Sequence, residues 1–168
     1  MRLKGRMAII TGAAGGIGEG VAKIYAEEGA VVLIADLNEE GAAKTAKSIN
    51  QNGGKATSCF VDVTDTEAVQ KMVKDFVEDH GRLDVIANVA GTGQRHSFLE
   101  ATSEEFDRVM RVNLMGTFIC SQAAAREMVK AGYGRIVNIA SIAGTRAGSG
   151  RTAYGTSKSA VIGLTRQA

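Results

Sequence analysis

The segment TAYGTSKSAVIGLTRQA at 152–168 sets Tyr154 and Lys158 four positions apart. On a helix that spacing puts both side chains on one face, about 6 Å apart along the axis. A phenol with its ordinary pKa of about 10 is a poor base at neutral pH, but an ammonium group beside it stabilises the phenolate and lowers that value. Such a phenol can exchange a proton with a hydroxyl or carbonyl oxygen. Alone, the same spacing also describes an amphipathic helix face with a snorkelling lysine. The pair therefore calls for a second site that would make the proton exchange useful.

TGAAGGIG at 11–18 supplies one. Gly12, Gly16 and Gly18 permit a tight turn, a close backbone approach to a pyrophosphate and tight packing of helix on strand. A helix opening near Gly16 aims its unpaired N–H groups and positive dipole end at the same point. Asp36 follows 18 positions after Gly18, at the end of the next apolar run, where a carboxylate accepts hydrogen bonds from a ribose diol. The same carboxylate repels a 2′-phosphate, and Gly15 and Leu37 supply no cation, so NAD is expected over NADP. Asp36 could equally cap a helix over 38–52, a task also open to Asn38.

The elements that must hold these residues alternate. MAIIT at 7–11, AVVLIAD at 30–36, ATSCFVDV at 56–63, LDVIANVAG at 83–91 and GRIVNIAS at 134–141 are continuous apolar runs, the pattern of strands buried on both faces. Between them the period becomes helical. The stretch 16–29 carries Ile17, Val21, Ile24 and Tyr25 on one stripe and ends at Gly29; 38–52 closes on Gly53-Gly54. Asp65 heads 65–80, whose stripe is Val69, Met72, Val73, Phe76 and Val77. A long helix is expected over 103–131, opened by an imperfect capping box at Ser103 with Phe106 in place of an acid. Strand and helix in alternation imply an α/β fold, a doubly wound parallel sheet in one domain spanning 1–168.

Composition narrows the partners. Lys+Arg 20 against Asp+Glu 18 leaves +2, which gives no electrostatic case for nucleic acid or an anionic membrane. No apolar run approaches the ~18 residues of a membrane span, and the N-terminus lacks a secretory pattern. Cys59 and Cys120 read as small buried apolar residues rather than a disulfide, and a cytoplasmic location is expected. His80 sits at a helix end and His96 in a loop, neither assigned chemistry, and no metal-ligand spacing is present.

TGAAGGIG, Asp62-Val63, NVAG at 88–91, Asn113, Ser141 and YGTSK at 154–158 occur in an order that resembles the short-chain dehydrogenase/reductase family over the whole chain. The resemblance implies a Rossmann-like sheet of strand order 3-2-1-4-5. It also implies an oxidoreductase that interconverts a secondary alcohol and a ketone by hydride transfer with NAD. Its catalytic set would be Asn113, Ser141, Tyr154 and Lys158. Tyr154 is then the acid/base, and Lys158 also holds the nicotinamide ribose. Ser141 hydrogen-bonds the substrate oxygen, and Asn113 positions a water linking Lys158 to solvent. Asp62 with Val63 would contact the adenine, though Asp62 also suits a helix cap. Asn88, Ala90 and Gly91 would pass beside the adenine ribose, and Ile17 would pack under the nicotinamide half. Val89 stands where the family more often has a second Asn.

Members of that family continue with a sixth strand, a substrate-binding segment and a seventh strand. The chain is thus expected to be C-terminally incomplete relative to them. It could be part of a longer oxidoreductase, or a short nucleotide-binding or interaction protein without turnover of its own. The resemblance also implies a homodimer or homotetramer formed through 103–131 and the helix from 152. The segment IAGTRAGSGRTA at 142–153, with Arg146 and Arg151, would border the pocket and suit a sugar, a polyol or a 3-oxoacyl thioester.

Overall fold

The computed structural model describes residues 1–168 apart from Gln94, Ala147 and Ser149. Ala147 and Ser149 belong to the segment expected to border the pocket, and Gln94 to the His96 loop; at those three positions the expectations lie outside the described residues.

Five parallel strands, β1 (Met7–Thr11), β2 (Val31–Asp36), β3 (Lys55–Phe60), β4 (Val85–Asn88) and β5 (Arg135–Asn138), form one sheet in the order β3-β2-β1-β4-β5. β1 pairs with β2 from Met7 against Val31 and with β4 from Ala8 against Val85. Between the strands run α1 (Gly16–Glu27), α2 (Glu39–Gln51), α3 (Thr66–His80), α4 (Ser103–Met110) and α5 (Thr117–Ala131), and α6 (Thr152–Gln167) follows β5. This is the doubly wound arrangement that the sequence pattern implies, in the Rossmann-like strand order that the family resemblance implies.

Alternation along each strand divides the core in two. Ala8 and Ile10 of β1, with Val32 and Ile34 of β2, meet Ala22 and Ala26 of α1 and Ala42, Ala46 and Ile49 of α2. On the other face Ile9, Leu33 and Ile86 meet Val69, Val73 and Phe76 of α3 and Cys120, Ala124 and Met128 of α5. Each fully buried Ile or Val contributes about 1.5–3 kcal/mol by leaving water. The outer strands differ from expectation. Among the described residues β3 and β5 have a neighbour on one side only, and Ser58, Phe60, Arg135 and Val137 are exposed, so these two are not covered on both faces.

Two helices also depart from the sequence reading. The buried face of α1 is Gly18, Ala22 and Ala26, not a stripe through Ile17 and Ile24, which are 69% and 53% exposed. A Cβ on Gly18 would lie 2.1 Å from the Gly12 carbonyl oxygen, so the helix sits too close to the turn for larger residues to face inward. The stretch 103–131 is not one α-helix: Arg111–Gly116 forms a π turn between α4 and α5. The cap is Thr102, whose Oγ1 accepts from the Glu105 N–H at 3.2 Å, one residue ahead of the Ser103 expected. The Glu105 carboxylate turns instead to His96 Nδ1 at 2.8 Å. Asp65 and Asn38 cap α3 and α2.

At the amino ends of the strands Asp84, almost wholly buried, accepts from Arg6 Nη1, Arg82 Nε and the Met7 N–H, each at 2.9 Å. Burial opposes its charge, but the Arg82 contact, the Met7 N–H and Arg6 outweigh it and hold the carboxyl below its usual value. Cys59 and Cys120 are free; burial pushes their thiols up to about 11 and about 12. No helix among the described residues is long and apolar enough to cross a membrane.

Candidate active site

The glycine turn is shaped by contacts that exclude any side chain. Gly12 has φ +67°, and a Cβ there would lie 2.5 Å from Ala90 Cα. The end of β1 therefore passes directly against the chain leaving β4. Thr11 secures that crossing, its Oγ1 accepting from the N–H groups of Val89 at 3.2 Å and Ala90 at 3.3 Å. Gly16 has φ +58° and opens α1. Gly15 stands at the cap with no side-chain hydrogen bond, so the first N–H groups of α1 keep their capacity for an anion.

Around this turn lies a crevice of about 560 Å³. Of the residues singled out from sequence, Gly12, Asp36, Asp62, Val63, Ala90 and Gly91 line it. Asp36 Oδ2 accepts from the Ala14 N–H and Oδ1 from the Asn38 N–H, both at 2.9 Å, so the carboxylate ties β2 to the glycine turn. Asn38, not Asp36, caps α2. Asp62 accepts from the Thr64 N–H and hydroxyl at 2.8 Å, and the cap of α3 is left to Asp65.

Asn88 is not brought to the crevice. Its Nδ2 donates to Ser121 Oγ at 2.9 Å and Asn138 Oδ1 at 2.8 Å, and among the described residues its Oδ1 has no partner. Asn138 continues the row, its Nδ2 donating to Thr165 Oγ1 on α6 at 3.0 Å. Ile17 lies on the open surface of α1.

Beyond Gly91 of the crevice, Asn113 and Lys158 bound one space, and Tyr154 lies beside Lys158. Lys158 is 4% exposed; its Nζ donates to the Ile139 carbonyl at 2.6 Å and lies 5.9 Å from the centroid of the Tyr154 ring. Burial pushes the Lys158 ammonium below its ordinary value. Ser141, two residues beyond Ile139, opens a short 3-10 turn and accepts from the Ala143 N–H at 3.2 Å. That turn is packed hard on α6. A Cβ on Gly144 would lie 2.8 Å from the Lys158 carbonyl carbon, and one on Gly155 would lie 2.9 Å from the Ala143 oxygen.

Asn113, wholly buried, sits inside the π turn. Its Nδ2 donates to Ser157 Oγ and to the Thr92 carbonyl, each at 2.9 Å, and its Oδ1 accepts from the Thr92 N–H at 2.7 Å. Its main-chain carbonyl accepts from Thr117 Oγ1 at 2.7 Å. A Cβ on Gly91 would meet Asn113 Oδ1 at 3.2 Å and Lys158 Nζ at 3.7 Å. Gly91 is thus where the crevice and the reacting groups join. Thr11, Thr92, Arg108, Gly144, Gly155 and Ser157 escaped the sequence reading. Thr11, Gly155 and Ser157 lie inside the TGAAGGIG and YGTSK motifs, which is the signal that could have found them.

The family described as short chain dehydrogenase matches residues 6–168. The chain belongs to this family. Among short-chain dehydrogenases, sorbitol dehydrogenase of Cereibacter sphaeroides is 40% identical over 169 residues, spanning 100% of this chain and 65% of the relative. A 3-oxoacyl-(acyl-carrier-protein) reductase of Thermotoga maritima is 36% identical over 166 residues, 99% of this chain and 68% of its own. The crystal structure of NAD⁺-bound xylitol dehydrogenase superposes with a TM-score of 0.96 at 39% identity, covering 99% of this chain and 65% of that one. The chain spans about two thirds of the length of these short-chain dehydrogenases.

Proposed function

We propose that the chain forms the dinucleotide-binding and proton-transfer part, a single domain, of an NAD-dependent oxidoreductase that interconverts a secondary alcohol and a ketone. The observation that carries this is the buried Lys158 ammonium beside the Tyr154 ring, at the Gly91 junction with the crevice. The residues present fit a dinucleotide. Gly12 and Gly18 let the turn pack directly on the chain's own backbone, the uncapped N-terminus of α1 suits a pyrophosphate, and Asp36 suits a ribose diol. Gly12, Gly16, Gly18, Asp36, Asp62, Val63, Ala90 and Gly91 would hold it, and Asp36 favours NAD over NADP.

Bound nicotinamide supplies the hydride acceptor for oxidation and the donor for reduction. Tyr154 takes the hydroxyl proton as its phenolate, or returns it to the carbonyl oxygen from the phenol. Lys158 would stabilise the phenolate while its ammonium donates to the Ile139 carbonyl. Ser141 would donate to the substrate oxygen as charge builds there. Asn113 ties Ser157 and Thr92 together beside Lys158, and would position the water of a proton relay.

A sugar or polyol is the substrate class we favour, supported by the sorbitol and xylitol dehydrogenases among the relatives. A 3-oxoacyl thioester is the competitor raised by the reductase relative. The two free cysteines suit a cytoplasmic location, and assembly as a homodimer or homotetramer would use α5 and α6. The deciding experiment is nicotinamide absorbance with the full chain on a panel of polyols and 3-oxoacyl thioesters. Turnover of secondary alcohols with NAD is the expected result. Tight NAD binding without turnover of any of them would favour a nucleotide-binding protein instead.

A further inference from the structure

Thr92, the first residue beyond Gly91, is gripped three times. Its N–H donates to Asn113 Oδ1 at 2.7 Å, its carbonyl accepts from Asn113 Nδ2 at 2.9 Å, and its hydroxyl accepts from Arg108 Nη1 at 2.7 Å. A second guanidinium nitrogen of Arg108 donates to the Gly93 carbonyl at 3.2 Å. Both Arg108 contacts are to neutral loop groups, which suits a planar fork with fixed donor directions better than a point charge.

Arg108 and Asn113 are five residues apart, and on a regular α-helix their side chains would diverge by about 140°. The π turn at Arg111–Gly116 widens the helix between them, so that both address the same residue. The rim of the crevice is thereby tied to one helix at two points. What holds Thr92 also holds the Asn113 carboxamide, whose Oδ1 and the Lys158 Nζ bound the same space over Gly91.

We propose that Arg108 is a positioning residue for proton transfer. Through the Thr92 hydroxyl it fixes the loop that leaves β4, and with it the Asn113 carboxamide beside Lys158. The inference rests on the oxidoreductase reading. Arg108 and Gly93 are exposed and Thr92 is half-buried, so the loss of these contacts falls on geometry rather than on folding.

The test uses the full chain with NAD and whichever alcohol the wild type oxidises. Arg108→Ala and Thr92→Val each lower kcat about tenfold, because small displacements at a reacting centre are costly. Both displace the ionisation limb of the kcat–pH profile, with the NAD Kd changed by less than about twofold and melting temperature retained. The double variant is no slower than the slower single variant, since both substitutions cut one link. Arg108→Lys, which keeps a donor for the hydroxyl, restores part of the rate. Arg126→Ala, which removes an equal charge on α5, changes none of these readings. An unchanged rate, an unmoved pH profile or losses that multiply in the double variant would overturn the proposal alone. A wild type that binds NAD but oxidises no alcohol would overturn the oxidoreductase reading itself, and this inference with it.

Discussion

Lys158 Nζ lies 5.9 Å from the Tyr154 ring centroid while donating to the Ile139 carbonyl at 2.6 Å. One buried cation therefore faces a phenol on its own helix and a carbonyl at the end of β5. Among the described residues the hydrogen-bond acceptor of this ammonium is a neutral carbonyl, not a carboxylate.

Tyr154→Phe tests the phenol. It removes one oxygen and keeps the ring, so kcat falls by about 10²–10⁴, the usual worth of a positioned acid/base. NAD affinity, measured calorimetrically, stays within about twofold. Full turnover by this variant would move the acid/base elsewhere.

Lys158→Met tests the cation. Without the ammonium the proton transfer at Tyr154 loses its adjacent positive charge, and kcat for alcohol oxidation falls by about tenfold or more. A variant that keeps the wild-type kcat would contradict the assignment.

Gly12→Ala and Gly16→Ala separate crowding from backbone strain. At Gly12 the new Cβ meets main-chain atoms of Ala90 at 2.5 and 2.6 Å with no flexible end to yield. Denaturant unfolding should show a loss above about 2 kcal/mol, with NAD binding abolished. Gly16 faces open space, so the cost there is the left-handed backbone alone, about 1–2 kcal/mol.

Asp84→Asn tests the brace beneath the sheet. The Asp84 carboxyl is held below its unfolded value, so its stabilisation is complete above that unfolded value and is lost as pH falls through the folded one. At neutral pH the variant is less stable by about 3 kcal/mol, because Arg6 and Arg82 lose their buried anion. The gap between variant and wild type narrows as the medium is acidified, which urea titrations at neutral and acidic pH would show. A constant gap would assign the cost to packing.

Asp36→Ala tests cofactor choice. NAD affinity falls about tenfold or more as the diol loses its acceptor, and the preference over NADP shrinks because the repelling charge is gone. The Ala14 N–H also loses its partner, so the glycine turn loosens in the same variant. Unaltered selectivity would remove Asp36 from the ribose site.

Much of this was legible in the sequence because it is local. Strand positions, the caps Asp65 and Asn38 and the glycines at turns follow from residues a few positions apart. Tyr154 and Lys158 are one turn apart, so their shared face needed no tertiary knowledge. The π turn was not legible: nothing in DRVMRVNLMG breaks the helical period. The widening comes from Asn113 reaching Thr92 and from Gly116 lying against Val63, both contacts between distant segments. The stripe assigned to α1 failed for a related reason. Apolar periodicity marks large residues, whereas a helix pressed on a tight turn buries small ones, here Gly18, Ala22 and Ala26. Asn88 was misplaced because its neighbours in NVAG line the crevice while its own side chain alternates to the opposite side of the strand.

The amide row from Asn88 through Asn138 to Thr165 gives the helix bearing the phenol a second mooring on the outermost strand, besides the one at Ile139. Two anchorages nearly two turns apart fix its tilt as well as its height. A load on the flank of β5 would reach Tyr154 through these two ties, and on the proposed reading the rate of turnover would register it.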